Sequence, residues 1–264
     1  MATTASTAPA REGNRAAQVP FPPDPTLDLL SAVPQLKDRL YGAVRPYLHG
    51  LVLETGSGEI TFAEQLLSEG REVYLSDPRV DHCHRLRKRF ALLSHCRGVL
   101  PLDLGGACFR ATYPHLFGQC GTVLAINVLQ QIGDDRCAVA NAFTLLRPGG
   151  KLIVLVPAPP LTLARTDRTT QTPRRYTRRE LRALFDTNDL DTVRSIHLNL
   201  ASVPGRRVPA GLSQDGPPTP RPVTWWGRLV PLIRPLERLA WRGVGLSVLA
   251  VGRARPARTG AVPA

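Results

Sequence analysis

Polar residues end four successive apolar stretches of the chain, and their spacing suits the binding of a nucleotide-like ligand. The first stretch runs into Glu54-Thr55-Gly56-Ser57-Gly58, where glycines let the backbone approach a ligand closely and a helix start offers free N–H groups. Asp77 stands 19 positions beyond Gly58 (77 − 58), and a carboxylate at this spacing accepts hydrogen bonds from a ribose diol. Asp103 is placed to accept from an adenine amino group, and Asn127 ends a fourth stretch that faces the same crevice.

Each of these residues also has a purely structural interpretation. Gly56 and Gly58 can simply form a tight turn, Asp77 with Pro78 is a good helix start, and Asp103 can be an ordinary loop acid. Four consecutive strand ends that each carry a polar group nevertheless favour a binding site, because ligands of open parallel sheets bind beyond the carboxyl ends of the strands.

Strands and helices are predicted to alternate through most of the chain. Apolar runs predict strands near 51–53, 72–75, 99–102, 122–126, 152–156, 193–200 and 246–251, with helical apolar spacing between most of them. Leu93 is predicted on one helix face, Pro148-Gly149-Gly150 is predicted to end another helix, and Thr177 with Glu180 forms a capping box. This order predicts an α/β protein whose parallel sheet is covered on both faces.

The length of 264 residues suits one α/β domain with an insertion. We predict a domain over 25–253 that opens with a helical segment, between disordered tails over 1–24 and 254–264. Residues 203–242, which begin rich in Pro, Gly and Arg, are predicted to form a lid. Its aromatic residues either line a pocket for an apolar or aromatic substrate or only cover the sheet; they are Trp225, Trp226 and Trp241.

The composition narrows the partners and the compartment. The net charge of +13 comes almost entirely from arginines that are scattered and not interleaved with aromatics, so we expect no nucleic-acid partner. The five cysteines form no Cys-x-x-Cys pair, which favours a reducing cytoplasm, and His82-Cys83-His84 lacks the spacing of a metal site. With no apolar run of about 18 residues, no transmembrane helix is expected.

From about residue 45 to residue 253 the chain resembles the class I S-adenosylmethionine (SAM)-dependent methyltransferases. The fourth stretch, N-V-L-Q-Q-I-G-D-D at 127–135, is similar to the N-V-L-E-H-I-x-D-D signature of a broad small-molecule group. The turn L-L-R-P-G-G-K-L at 145–152 and the segment R-R-Y-T-R-R-E-L at 174–181 resemble further signatures of that group. The resemblance implies a seven-stranded, mostly parallel Rossmann-like sheet with the last strand antiparallel, a C-terminal lid, and SAM as cofactor.

The resemblance also implies a role for each site residue. The methionine end would contact Glu54, Thr55, Gly56, Ser57 and Gly58. The ribose would contact Asp77 and Pro78, and the adenine would contact Asp103 and Leu104. The wall near the sulfonium would be formed by Asn127 and Val128. Tyr176 is the candidate for a polar group over the substrate, with helix-start packing as the alternative. Gln131 is the second catalytic candidate.

Four residues in three segments depart from the family pattern. Ile60 stands at the usual third glycine of the first loop, Gln130-Gln131 replaces the Glu-His pair, and Thr172 replaces a histidine. Two histidines suited to proton transfer are therefore missing, and most of the remaining histidines are interpreted as surface residues or as internally paired.

Three functions stay open at this point. The leading one is a small-molecule methyltransferase that tailors a secondary metabolite, with a nucleophile that needs little help from a base. The second is a SAM-binding protein that does not methylate, either cyclase-like or an inactive partner subunit. The third is a methyltransferase in peripheral contact with a membrane through the basic, Trp-bearing segment 224–242. A nicotinamide dehydrogenase is disfavoured, because its pattern needs glycine at Thr61.

Overall fold

The computed structural model describes residues 34–58, 61–159, 174–198 and 247–255, which contain a seven-stranded sheet. Its strands are β1 (Val52–Thr55), β2 (Val73–Ser76), β3 (Cys96–Leu100), β4 (Cys120–Ile126), β5 (Leu146–Pro157), β6 (Leu190–Leu198) and β7 (Ser247–Ala254). The order across the sheet is β3-β2-β1-β4-β5-β7-β6, and β7 runs antiparallel to both of its neighbours. The predicted mostly parallel sheet with an antiparallel last strand is confirmed.

The chain order places a ligand-binding edge in the middle of the sheet. From β1 the chain moves outward through β2 to β3, and it then returns to pair β4 with the other side of β1. Strand order therefore reverses between β1 and β4, which is where open α/β sheets bind their ligands.

Helices flank the strands along the chain. They are α1 (Pro34–Val44), α2 (Ala63–Ser68), α3 (Val80–Phe90), α4 (Phe109–Thr112), α5 (Asp135–Leu145) and α6 (Arg178–Asp186), with short 3₁₀ turns at Arg45–Tyr47, Pro114–Leu116 and Leu129–Gln131. The capping box predicted for α6 is present, because Thr177 Oγ1 accepts from the Glu180 N–H at 3.2 Å and the Glu180 carboxylate accepts from the Thr177 N–H at 2.7 Å.

Two apolar layers hold the helices against the sheet. On one face Phe62, Leu66 and Phe90 pack against buried residues of the central strands, and on the other face Phe109 and Phe185 do the same. Every residue of β4 is buried, as expected for a strand covered on both sides. The apolar runs that predicted the strands arise from this double burial.

Several predicted boundaries are wrong by a few residues. Helix α3 ends at Phe90, and Leu93 is 49% exposed instead of lying on its apolar face, because the chain leaves the helix in a turn in which the Leu93 N–H donates to the Phe90 carbonyl at 3.0 Å. Pro148-Gly149-Gly150 does not end a helix: α5 has already stopped at Leu145, and the turn lies inside β5, where the register with β4 shifts. Strand β7 includes Ala254, the first residue of the predicted C-terminal tail.

Several predicted features fall outside the described residues. They are the tail 1–24, the end of the tail from 256 on, Ile60, Thr172 and the lid over 203–242 with Trp225, Trp226 and Trp241. None of the helices within the described segments is long and apolar enough to span a membrane.

Candidate functional site

The loop after β1 is organised by the buried carboxylate of Glu54. This side chain is 1% exposed, and it accepts hydrogen bonds from Thr61 Oγ1 at 2.6 Å, from the Phe62 N–H at 2.7 Å and from Ser57 Oγ at 3.2 Å. Burial raises the pKa of Glu54, and these three donors oppose that rise. Glu54 therefore fixes the path from β1 to the start of α2, and most of its acceptor capacity serves the loop.

Gly56 and Gly58 lie where the loop touches its neighbours. Gly56 has a φ of 70°, and a Cβ added there would stand 2.4 Å from Val128 Cγ2. A Cβ on Gly58 would stand 1.8 Å from Nδ1 of His82 and 2.6 Å from Oδ2 of Asp77. The loop thus needs glycine at both positions, in the first case for backbone conformation and space and in the second for space.

Asp77 lies at the carboxyl end of β2 and ties three segments together. Its Oδ2 accepts from the Gly58 N–H at 3.0 Å and lies 3.0 Å from His82 Nδ1, while its Oδ1 accepts from the Arg79 N–H at 2.9 Å. The side chain is nearly buried. The N-cap of the helix that begins at Val80 is Arg79, without a side-chain cap, so the N-cap role considered for Asp77 is not present. The bond to Arg79 holds the chain just before that helix, and the bond to Gly58 joins the ends of β1 and β2.

The loop after β3 is held against the loop after β4. Asp103 is exposed, and its Oδ1 accepts from the Gly105 N–H at 2.8 Å. A Cβ on Gly105 would stand 2.8 Å from Ile132 Cγ2, and the carbonyl of the buried Leu104 accepts from Asn141 Nδ2 at 2.8 Å. Asp103 and Leu104 therefore lie at the same edge of the sheet as Asp77.

Asn127, directly after β4, combines an unusual backbone with an unpartnered side chain. Its φ is 55°, in the left-handed region, and it is 2% exposed. Within the residues that the structure describes, neither Oδ1 nor Nδ2 of Asn127 has a hydrogen-bond partner, and the same holds for both amide atoms of Gln130, which is 6% exposed. Buried amides without partners are costly in a folded protein, so four such atoms on one short segment point to a polar ligand.

Both candidate catalytic residues form hydrogen bonds to the segment that follows β4. Tyr176 is 2% exposed, and its hydroxyl lies 3.3 Å from the Leu129 carbonyl oxygen and 3.2 Å from Oδ2 of Asp135. Burial, with the Asp135 carboxylate second, raises the pKa of Tyr176, so its hydroxyl stays protonated at neutral pH. Gln131 is exposed and donates from Nε2 to the Asn127 carbonyl at 2.9 Å.

Two residues at the site were not among the sequence-predicted candidates. His82 is among the histidines expected to be exposed or internally paired, and it is internally paired: its ring contacts both Gly58 and Asp77. Gln130 was noted only as a departure from a signature. A signal for His82 was available, since a residue five positions after Asp77 lies in the first turn of the following helix and can reach back to the strand end.

Metal ligands do not converge at this edge in the part of the chain that the structure describes. No group of three or more His, Cys, Asp or Glu side chains there could hold an ion. The cysteines of the described segments are all free thiols.

Comparison with known proteins identifies the class of fold. No protein-family model matches the chain, and no curated protein matches its sequence. Among solved structures, the [4+2]-cyclase SpnF is 17% identical, with a TM-score of 0.54 over 83% of this chain and 81% of that one. The putative methyltransferase solved with the Haloferax volcanii Trm112 methyltransferase activator is 17% identical, with a TM-score of 0.53 over 87% and 97% of the two chains.

A third structure, the CurJ carbon methyltransferase, is 12% identical, with a TM-score of 0.51 over 84% of this chain, which spans about half (53%) of that protein. At these identities the likeness concerns the fold. The chain therefore has the Rossmann-like fold of the class I SAM-dependent methyltransferases, with their seven-stranded sheet.

Proposed function

We propose that this protein is a SAM-dependent methyltransferase that acts on a small molecule, in the tailoring of a secondary metabolite. The fold and the meeting of polar residues at the carboxyl ends of β1 to β4 support the proposal. The observation that carries it is the buried amide of Asn127, which lies beside the β1 loop at the point where strand order reverses and has no partner in the described protein. A bound ligand that supplies those hydrogen bonds explains why the amide is kept there.

Each end of the cofactor is assigned to one segment of this edge. The methionine end is assigned to Glu54, Thr55, Gly56, Ser57 and Gly58. The ribose is assigned to Asp77 and Pro78, and the adenine to Asp103 and Leu104. The wall near the reacting methyl group is assigned to Asn127 and Val128. Since the Glu54 carboxylate already accepts three hydrogen bonds, it acts on the methionine end mainly by shaping the loop.

The chain itself has to orient the reacting groups and exclude water from them. When bound, SAM supplies an electrophilic methyl group on a sulfonium, and the acceptor attacks in line. Val128 packs on Gly56 and closes the wall beside this point. Gln131 supports Asn127 through its carbonyl, and Tyr176 supports Leu129, so both candidate catalytic residues act on the site at least as positioning residues.

A second candidate function is SAM binding without methyl transfer. The specific observation in its favour is that Tyr176, the residue proposed to face the substrate, directs its hydroxyl into the protein towards Asp135. The fold likeness to SpnF, a [4+2]-cyclase, shows that this architecture is also found outside methyltransferases. Turnover with labelled SAM and a panel of small-molecule acceptors separates the two functions.

The first experiment is titration calorimetry with SAM, S-adenosylhomocysteine and NAD. Micromolar binding of the first two and none of NAD is the expected result, and binding of none of the three would refute the proposal. A variant localises the site: Asn127→Gly deletes the amide but keeps a residue suited to the left-handed backbone, and it should weaken S-adenosylhomocysteine binding.

A matched control exists on the opposite edge of the sheet. Asp189 has the same φ of 55° but lies just before β6, away from the ends of β1 to β4. Asp189→Gly should therefore leave cofactor affinity unchanged. Equal loss of affinity in both glycine variants would mean that backbone softening, and not the Asn127 amide, is responsible.

A further inference from the structure

We propose that His82 occupies the position of the cofactor ribose, and that SAM must displace its imidazole from Asp77 in order to bind. This inference rests on the proposed function, since it concerns the same pocket. It assigns to His82 the role of a positioning residue that controls access of the ribose diol to its carboxylate.

The contact between His82 and the loop is close on two sides. Nδ1 of His82 lies 3.0 Å from Oδ2 of Asp77, and the side chain is only 4% exposed. The same ring covers Gly58, where an added Cβ would stand 1.8 Å from Nδ1 and 2.3 Å from Cγ. The imidazole thus fills the space beside the loop where a ligand would approach its backbone.

The acceptor capacity of Asp77 shows why the ring must leave. A carboxylate offers about four acceptor positions, two on each oxygen. Oδ2 already accepts from the Gly58 N–H and from His82, and Oδ1 accepts from the Arg79 N–H. A ribose diol bound by both oxygens needs one free position on each, and only Oδ1 has one.

His82 is the displaceable donor of the three. The other two donors are backbone N–H groups that fix the β1 loop and the start of α3, so they cannot leave without local unfolding. His82 lies in the first turn of α3, where a side chain can rotate outward towards solvent. Its Nε2 already lies 3.9 Å from Oδ2 of the exposed Asp81, which offers the rotated ring a partner at the surface.

Calorimetry on variants of the full chain tests the inference, with S-adenosylhomocysteine as the probe. His82→Ala removes both the ring and its hydrogen bond to Asp77, so the ligand no longer has to displace a side chain. We expect this variant to bind about tenfold more tightly than the wild type. His82→Asn, which can still donate, should bind like the wild type. His84→Ala, an exposed histidine on the same helix, should have no effect.

A second readout uses the wild-type protein and does not depend on the folding of any variant. In nuclear magnetic resonance spectra of ¹⁵N-histidine-labelled protein, saturation with S-adenosylhomocysteine should move the His82 ring signals towards those of a solvent-exposed imidazole and leave those of His84 in place. Unchanged His82 signals in the bound protein would overturn the inference.

The outcomes separate this inference from the proposed function. If the wild type binds S-adenosylhomocysteine and folded His82→Ala binds equally or more weakly, the inference is wrong and the proposed function stands. If neither the wild type nor any variant binds, both are wrong. Binding by His82→Ala that the wild type lacks would support the inference and would refute a methyltransferase role for the wild-type protein.

Discussion

Replacing Gly56 by alanine tests the close approach of the β1 loop to the segment after β4. The backbone there has a φ of 70°, and the new Cβ would stand 2.4 Å from Val128 Cγ2. The left-handed backbone costs a residue with a Cβ about 1–2 kcal/mol, and overpacking adds about 1–3 kcal/mol. We expect Gly56→Ala to lower the free energy of unfolding by about 2–5 kcal/mol, measured by urea denaturation.

Three further variants divide this loss into its parts. Gly118 has a φ of 67° and nothing within 4 Å of an added Cβ, so Gly118→Ala reports the backbone cost alone. Gly133 has open space without a left-handed backbone, and its alanine variant should change stability by less than about 0.5 kcal/mol. Val128→Ala should recover the steric part in a double-mutant cycle with Gly56→Ala. Equal losses in Gly56→Ala and Gly118→Ala would refute the close approach.

Three more predictions follow from individual side chains. Asp77→Ala should weaken S-adenosylhomocysteine binding by more than about tenfold, because it removes a hydrogen-bonding charge worth about 1.5–3 kcal/mol; unchanged affinity in a folded variant, measured by calorimetry, would place the ribose elsewhere. Tyr176→Phe should lower the free energy of unfolding by about 1 kcal/mol, because the hydroxyl lies within hydrogen-bond reach of Leu129 and Asp135; loss of turnover without loss of stability would instead assign it a catalytic role. Because burial raises the pKa of Glu54, the folded state holds this proton to higher pH than the unfolded chain, so its contribution to stability is complete below about pH 4 and is lost as pH rises through the folded-state pKa. The free energy of unfolding, measured by urea denaturation between pH 4 and pH 8, should therefore fall less with pH in Glu54→Gln than in the wild type. The same pH dependence of that free energy in both proteins would contradict this prediction.

Most of the sheet could be predicted from the sequence because burial on both faces leaves a strong pattern. All seven predicted strands are present, and β4, in which every residue is buried, is the clearest of them. The predicted ends of helices and strands were wrong where they depend on contacts between residues that are distant in the sequence. The start of β5 at Leu146 depends on an irregular pairing with Cys120, and a local Pro-Gly-Gly signal reads as an ordinary turn.

The site was predictable only in outline, since strand ends can be located from sequence but side-chain partners cannot. The spacing from Gly58 to Asp77 predicted that these two residues lie at one edge of the sheet, and there the Gly58 N–H donates to the Asp77 carboxylate. Nothing in the spacing shows that His82 competes for the same oxygen. Likewise, the tyrosine of the signature at 174–181 lies in the core, because its hydroxyl meets Asp135, 41 positions earlier in the chain.

The two sides of the site differ in how far the protein satisfies its own polar groups. On the β1 and β2 side, the carboxylates of Glu54 and Asp77 each accept three hydrogen bonds from the chain, so most of the hydrogen bonds that a ligand makes there replace existing ones. On the β4 side, Asn127 and Gln130 hold four buried amide atoms without partners in the described part of the chain, and every bond that a ligand makes to them removes an existing penalty. The affinity for the ligand should therefore depend strongly on the Asn127 amide. Loss of that amide should cost more affinity than the loss of any one donor to Glu54, such as Thr61.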